Sequence, residues 1–208
     1  MGLFETVKQL LGVQAEAAAT GDADPDDLFG MSTAYITMEA ELGFAPTGEA
    51  ALCFADVDST AFRDTVEDVH EILAMAEEDT GTVADVREDD HGTQWIVVEA
   101  DEFEELVTSV HFGSDTLIEG RYGSRLLAAL FAFEATERAG AETGQRVYWI
   151  YSFRRGAYYP FAPTSRNERD ERVELKLSSI LDGELHVEGD RGYWYPLWPS
   201  ASGVHPWE

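Results

Sequence analysis

The sequence predicts an α+β domain: an antiparallel sheet with helices packed on one face, built from repeated ββα units and preceded by a short N-terminal amphipathic helix. Three observations carry this. The 208 residues include 44% apolar side chains and five tryptophans, enough to fill one core. Short apolar runs of strand type alternate with longer segments of 3.6-residue periodicity. A spacing of 41 residues relates Phe62, Val66, Val69 and His70 to Phe103, Val107, Val110 and His111, which reads as one unit used twice.

In chain order, Leu3, Phe4, Val7, Leu10 and Leu11 fall at helical spacing within residues 1–13. Docking of this helix on protein is preferred over a membrane surface, because its polar face offers only Lys8 beside Glu5. Residues 14–27 form a small-residue and acidic linker. Asp22, Asp24 and Asp26 open like a calcium loop, but Asp27 stands where that loop needs glycine and Thr33 where it needs glutamate. Residues 28–208 then make one domain. Its first unit has strands at 33–40 and 49–55 and a helix at 59–78, with Phe62, Val66, Val69, Ile72 and Leu73 inward. The second has strands at 82–87 and 93–99 and a helix opened by an Asp101/Glu104 capping box.

A third unit has strands at 126–133 and 147–153, a tight turn at Arg154-Arg155-Gly156 and a return through residues 157–161. Glycine accepts the positive φ such a turn needs. Pro160 donates no ladder hydrogen bond, which puts the return strand at a sheet edge or takes it out of the sheet. Asn167 is placed to cap a helix at 168–182, with Val173, Leu177, Ile180 and Leu181 inward. The aromatic tail, Tyr193 to Trp198, is expected to pack a final strand or extended segment over the core.

Charge is distributed unevenly. The net charge is −27, yet residues 146–176 hold seven of the 14 cations against four acids, interleaved with Tyr148, Trp149, Tyr151, Phe153, Tyr158, Tyr159 and Phe161. Carboxylates spread along ordered segments, with Lys8 and Lys176 the only lysines, look like a protein from a cell with molar internal salt. At about 1 M salt the Debye length is about 3 Å, so the basic stretch must act by direct contact, for which the planar guanidinium fork is suited. Arg154 and Arg155 at a hairpin tip, Arg166 before the last helix, and Arg169 and Arg172 along it form a shallow candidate site, with Tyr158 and Tyr159 as apolar anchors. The competing reading is structural: these arginines neutralise the protein's own acids, as Glu168 and Arg172 do at i, i+4. Anionic lipid, phosphate and nucleic acid are further possible ligands, although the surrounding negative charge opposes nucleic acid.

No catalytic motif survives inspection. There is no G-x-S-x-G and no phosphate loop, and Ala74 replaces the second histidine that a zincin motif starting at His70-Glu71 requires. His70 and His111 meet only if their helices pack side by side; two histidines at a helix border is the plainer reading. The single cysteine, Cys53, excludes an internal disulfide and a cysteine-rich metal site. No cofactor or metal is expected. With neither a secretory signal nor a run of about 20 apolar residues, the expected location is the cytoplasm.

Residues 28–54 (LFGMSTAYITMEAELGFAPTGEAALCF), 122–133 (YGSRLLAALFAF), 151–164 (YSFRRGAYYPFAPT) and 194–198 (WYPLW) resemble the PspA-associated protein B family, and the opening MGLFETVKQLLG is similar to that family's start. The resemblance implies an accessory protein in the phage-shock or envelope-stress system around PspA, a coiled-coil protein that supports stressed membranes. An HtpX-type membrane zinc protease is implied as a further associate, and no catalytic residues are carried over. The expected function is a non-enzymatic cytoplasmic adaptor using Arg154, Arg155, Tyr158, Tyr159, Arg166, Arg169 and Arg172. A peripheral membrane protein anchored by residues 3–13, and an enzyme or ligand carrier with a pocket among Tyr148, Trp149 and His111, are the alternatives.

Overall fold

The computed structural model describes residues 23–89, 92–165, 167–199 and 203–208. The predicted helix over residues 3–13 and most of the acidic linker lie outside them. Asp24 opens the described chain by accepting a hydrogen bond from the Asp26 amide, which caps a 3₁₀ turn at Pro25–Gly30. Helix α1, Met31–Thr37, follows and widens into a π turn at Met38–Leu42. A strand was expected at 33–40. Helix forms instead because Met31, Ala34, Met38 and Leu42 recur on one helical face, where all four are buried.

The remaining elements are β1 (Phe44–Ala55), α2 (Thr60–Thr80), β2 (Val83–Glu88), β3 (Thr93–Glu99), α3 (Phe103–Glu119), β4 (Leu126–Ala135), β5 (Arg146–Ser152), β6 (Ala157–Phe161), the short ladder β7 (Pro163–Ser165) with β8 (Glu168–Arg169), and α4 (Glu171–Leu181). Strands β1 to β6 form one antiparallel sheet in the order β2-β3-β1-β4-β5-β6. The α+β class and the helix-covered face are as predicted. The repetition of ββα units is not: only one strand precedes α2, and five, β4 to β8, lie between α3 and α4. Two helix starts also differ. Helix α3 has Glu102 at its N-cap with no side-chain bond, so the Asp101 box does not form, and α4 is capped by Asp170, which accepts from the Arg172 and Val173 amides.

Strand periodicity assigns the core to two sides of the sheet. On the helix side, Leu52, Ile96, Phe131, Trp149 and Tyr151 pack with Phe62 and Val69 of α2, Phe103 and Val107 of α3, and Leu177 of α4. Ile180, expected to point inward, is 40% exposed. On the other side, Cys53, Trp95, Leu130, Tyr148, Ile150, Tyr159 and Phe161 are covered by the irregular tail through Trp194 and Trp207, with Leu197 and Trp198 packed against them. The tail also lines the outer edge of β6: the Tyr158 amide donates to His186 O at 2.8 Å and Tyr158 O accepts from the Glu188 amide at 2.8 Å. Pro160 therefore sits where the sheet ends, and the Gly156 turn before it has φ 58° as expected.

Candidate interaction surface

The basic, aromatic stretch occupies β5, the β5–β6 turn, β6, the β7–β8 ladder and α4, and the fold turns most of it inward. Alternation along β5 sends Val147, Trp149 and Tyr151 to the helix side and Tyr148 and Ile150 to the tail side. Tyr158 and Tyr159 follow on β6, 1% and 2% exposed, so neither is an apolar anchor at the surface. Their hydroxyls are satisfied by backbone. Tyr158 donates to Leu28 O at 3.3 Å, and Tyr159 donates to Tyr195 O at 3.0 Å. Burial pushes both phenols well up from their ordinary range.

Arg155 and Arg169 are likewise engaged. Arg155 Nε donates to Glu188 Oε2 at 2.7 Å, and its guanidinium lies 4.0 Å from the centre of the Tyr193 ring. That hydrogen bond is the main reason its pKa is raised. Arg169 Nε donates to both oxygens of Glu174 at 2.8 Å, and Nη1 to Trp194 O at 2.9 Å. Glu174 has no exposed side-chain surface and accepts the Ala162 amide as well, at 2.8 Å. Burial pushes its carboxyl up, against the downward pull of Arg169 and Ala162. Arg169 thus joins α4, β6 and the tail through one guanidinium.

The other predicted cations divide. Arg172 keeps 71% of its side chain exposed while donating to Glu142 at 3.1 Å, a buried carboxylate that Lys176 also approaches at 3.4 Å. Arg154 donates Nη2 to Ser124 O at 3.3 Å; among the described residues it meets no carboxylate, and its buried Nε has no hydrogen-bond partner. Arg166 lies outside the described residues.

The pocket expected among Tyr148, Trp149 and His111 does not form. Tyr148 and Trp149 point to opposite sides of the sheet, and His111 sits on α3 with Nε2 3.0 Å from Asp26 Oδ1 and its ring 4.5 Å from that of Phe29. The two helix histidines do not meet either: His70 Nε2 lies 3.2 Å from Ala84 O. Among the described residues no group of three His, Cys, Asp or Glu is placed to hold a metal ion, and no helix is long and apolar enough to cross a membrane.

A different set of arginines emerges at the end of the sheet where β4 begins. The α3–β4 turn carries Arg121 and Arg125, and Arg154 reaches it through Ser124 O. Tyr122 of the same turn stacks edge-on against Phe62 at 4.8 Å, which brings the neighbouring Arg63 to this end. None of Arg63, Arg121, Arg125 and Arg154 pairs with a carboxylate among the described residues. Sequence reasoning passed over this group because its members are far apart in the chain. The one local signal was two arginines in a short turn without an acid, Gly120 to Arg125.

No curated protein and no solved structure matches the chain. The model of one family, PspA associated protein B, matches residues 1–207. With nearly its whole length matched, and with the residues of the buried β5–β6 hairpin and the Trp194 to Trp198 tail inside the matched region, the chain belongs to the PspA associated protein B family.

Proposed function

We propose that this protein is a non-enzymatic adaptor that contacts a PspA-like coiled-coil protein in a membrane or envelope stress response. The observation that carries the reading is the family match over residues 1–207, since membership suggests a PspA-related accessory role. A well-filled interior supports it. Both sides of the sheet are closed by the protein's own helices and tail, so a partner meets a preformed surface. An HtpX-type membrane protease is a second candidate associate on the resemblance alone, and the work is placed at the cytoplasmic side of the membrane.

The predicted docking residues narrow accordingly. Arg154 and Arg172 remain available for a partner, while Arg155 and Arg169 act as internal ties and Tyr158 and Tyr159 as core. Recovery of a PspA-like protein with the tagged full chain from native extract tests the reading. Enrichment over an untagged control is the expected result; recovery no better than that control overturns it.

A further inference from the structure

Arg121 occupies an unusual backbone position. Helix α3 ends in a Schellman arrangement: the Arg121 amide donates to Ile118 O at 2.8 Å and the Tyr122 amide to Leu117 O at 2.7 Å. The residue after the cap in this motif takes the left-handed conformation, which is why glycine is usual there. Here it is arginine, at φ 69°. Its side chain is exposed and makes no ion pair among the described residues, although Glu119 stands two residues away. The fold therefore carries a strained cation where glycine would serve the helix better, and its guanidinium makes no ion pair or hydrogen bond among the described residues in return.

Arg121 is not isolated. Arg125 is held on the same turn by its amide, which donates to Tyr122 O at 2.8 Å, and its side chain is exposed too. Arg154 is fixed against Ser124 O from the β5–β6 turn, and the Phe153 amide donates to Leu127 O at 3.2 Å, locking that turn to the start of β4. Arg63 is exposed at the start of α2, next to Phe62, whose ring meets that of Tyr122 in the same turn. In a chain of net charge −27, several guanidinium groups at one end of the sheet that pair with no carboxylate among the described residues are the reverse of what self-neutralisation produces.

Resting on the adaptor reading, we infer that the α3–β4 turn and the β5–β6 hairpin tip form a docking surface for a carboxylate-rich segment of a partner protein, gripped by Arg121, Arg125 and Arg154 with Arg63 at its flank. Guanidinium forks hold carboxylates in a defined geometry by paired hydrogen bonds. The wider negative charge does not prevent this, because at about 0.15 M salt the Debye length is about 8 Å and only neighbouring groups are felt. It does select the shape of the ligand. Exposed Asp56, Asp58, Asp64 and Glu119 border this end, so an anionic bilayer would press its phosphates against carboxylates, whereas a narrow acidic segment reaches the arginines alone.

The test uses the full chain and a fluorescent oligoglutamate peptide, followed by anisotropy at about 0.05 M and about 0.5 M salt, with phosphatidylglycerol vesicles as a second ligand. Wild type binds the peptide, with less affinity at the higher salt. Arg121→Gly weakens binding about tenfold while raising the thermal midpoint by about 2–4 °C, a pairing that damage to the fold cannot give. Arg121→Gly combined with Arg125→Ser reduces binding further, and Arg121→Lys restores only part of it. Peptide affinity unchanged in the double variant, no peptide binding by wild type, binding to vesicles alone, or an Arg121-dependent self-association in its place overturns the inference. Recovery of the PspA-like protein is measured in parallel. If the wild type recovers it and the double variant does so equally, this surface is excluded and the adaptor reading stands; if the wild type recovers none, the adaptor reading falls and the peptide result still decides the surface.

Discussion

The arginines of residues 146–176 and those around the α3–β4 turn have the same chemistry and opposite situations. In the first group Arg155 and Arg169 each hold a carboxylate that is 9% exposed or less, and Arg169 also binds the backbone of the tail. In the second group Arg121 and Arg125 are exposed and pair with no carboxylate among the described residues, although Glu119 is close in the chain. Within the dense stretch Arg155 and Arg169 are thus spent on the protein's own acids, while Arg154 of that stretch joins a smaller set, collected from separate segments, that pairs with no carboxylate among the described residues.

Several measurements can break or sharpen this contrast. Arg169→Ala leaves Glu174 buried without its cation, and we expect a loss of about 3–5 kcal/mol in urea unfolding. Adding Glu174→Gln, which keeps an acceptor for the Ala162 amide, should recover a large part; no recovery would mean that Arg169 stabilises through the tail carbonyl instead.

Arg146, from the same stretch, bears on a pH effect. Burial, and then the positive charge of Arg146, lower the pKa of His205 to about 4. A folded pKa below the ordinary 6.5 means that the unfolded chain takes up this proton first. The stabilising contribution is therefore complete above about pH 6.5 and is lost as pH falls towards 4, by about 3 kcal/mol in total. His205→Gln should flatten the stability profile over that window, and an unchanged slope would remove His205 as its source.

Arg155→Ala should cost about 2 kcal/mol, because Glu188 loses its guanidinium but keeps the Asp190 amide. Arg172→Ala should cost less than about 1 kcal/mol, as most of its side chain is in solvent. Arg125→Ser should change stability by no more than about 0.5 kcal/mol. A large loss at Arg125 would assign it to the fold and end the contrast.

The basic stretch also shows how far local pattern reaches. Its strands and its Gly156 turn were legible, because each depends on alternation or on one residue's backbone chemistry, whereas Pro160 by itself fits both a sheet edge and a segment outside the sheet. The segment at 33–40 was misread because Ala34, Ile36 and Met38 alternate as in a strand, while the helical set that is actually buried runs from Met31 to Leu42. Tyr158 and Tyr159 were placed outside since one side of an edge strand is often solvated. Here α4 and the 3₁₀ turn approach from one side and the Trp194 segment from the other.

By itself the sequence determined the α+β class, the order of the main-sheet strands and the helices between them from residue 44 onward, though not the β7–β8 ladder, and membership of the family, all of which are written in short-range periodicity and in consecutive residues. Only the tertiary structure decided which cations are used up. An ion pair such as Arg155 with Glu188 joins residues 33 positions apart, and a cluster such as Arg63, Arg121, Arg125 and Arg154 draws on three separate segments. Electrostatic pairing depends on distance in space, falling off within a few ångströms in salt water, and that distance is set by packing rather than by order along the chain.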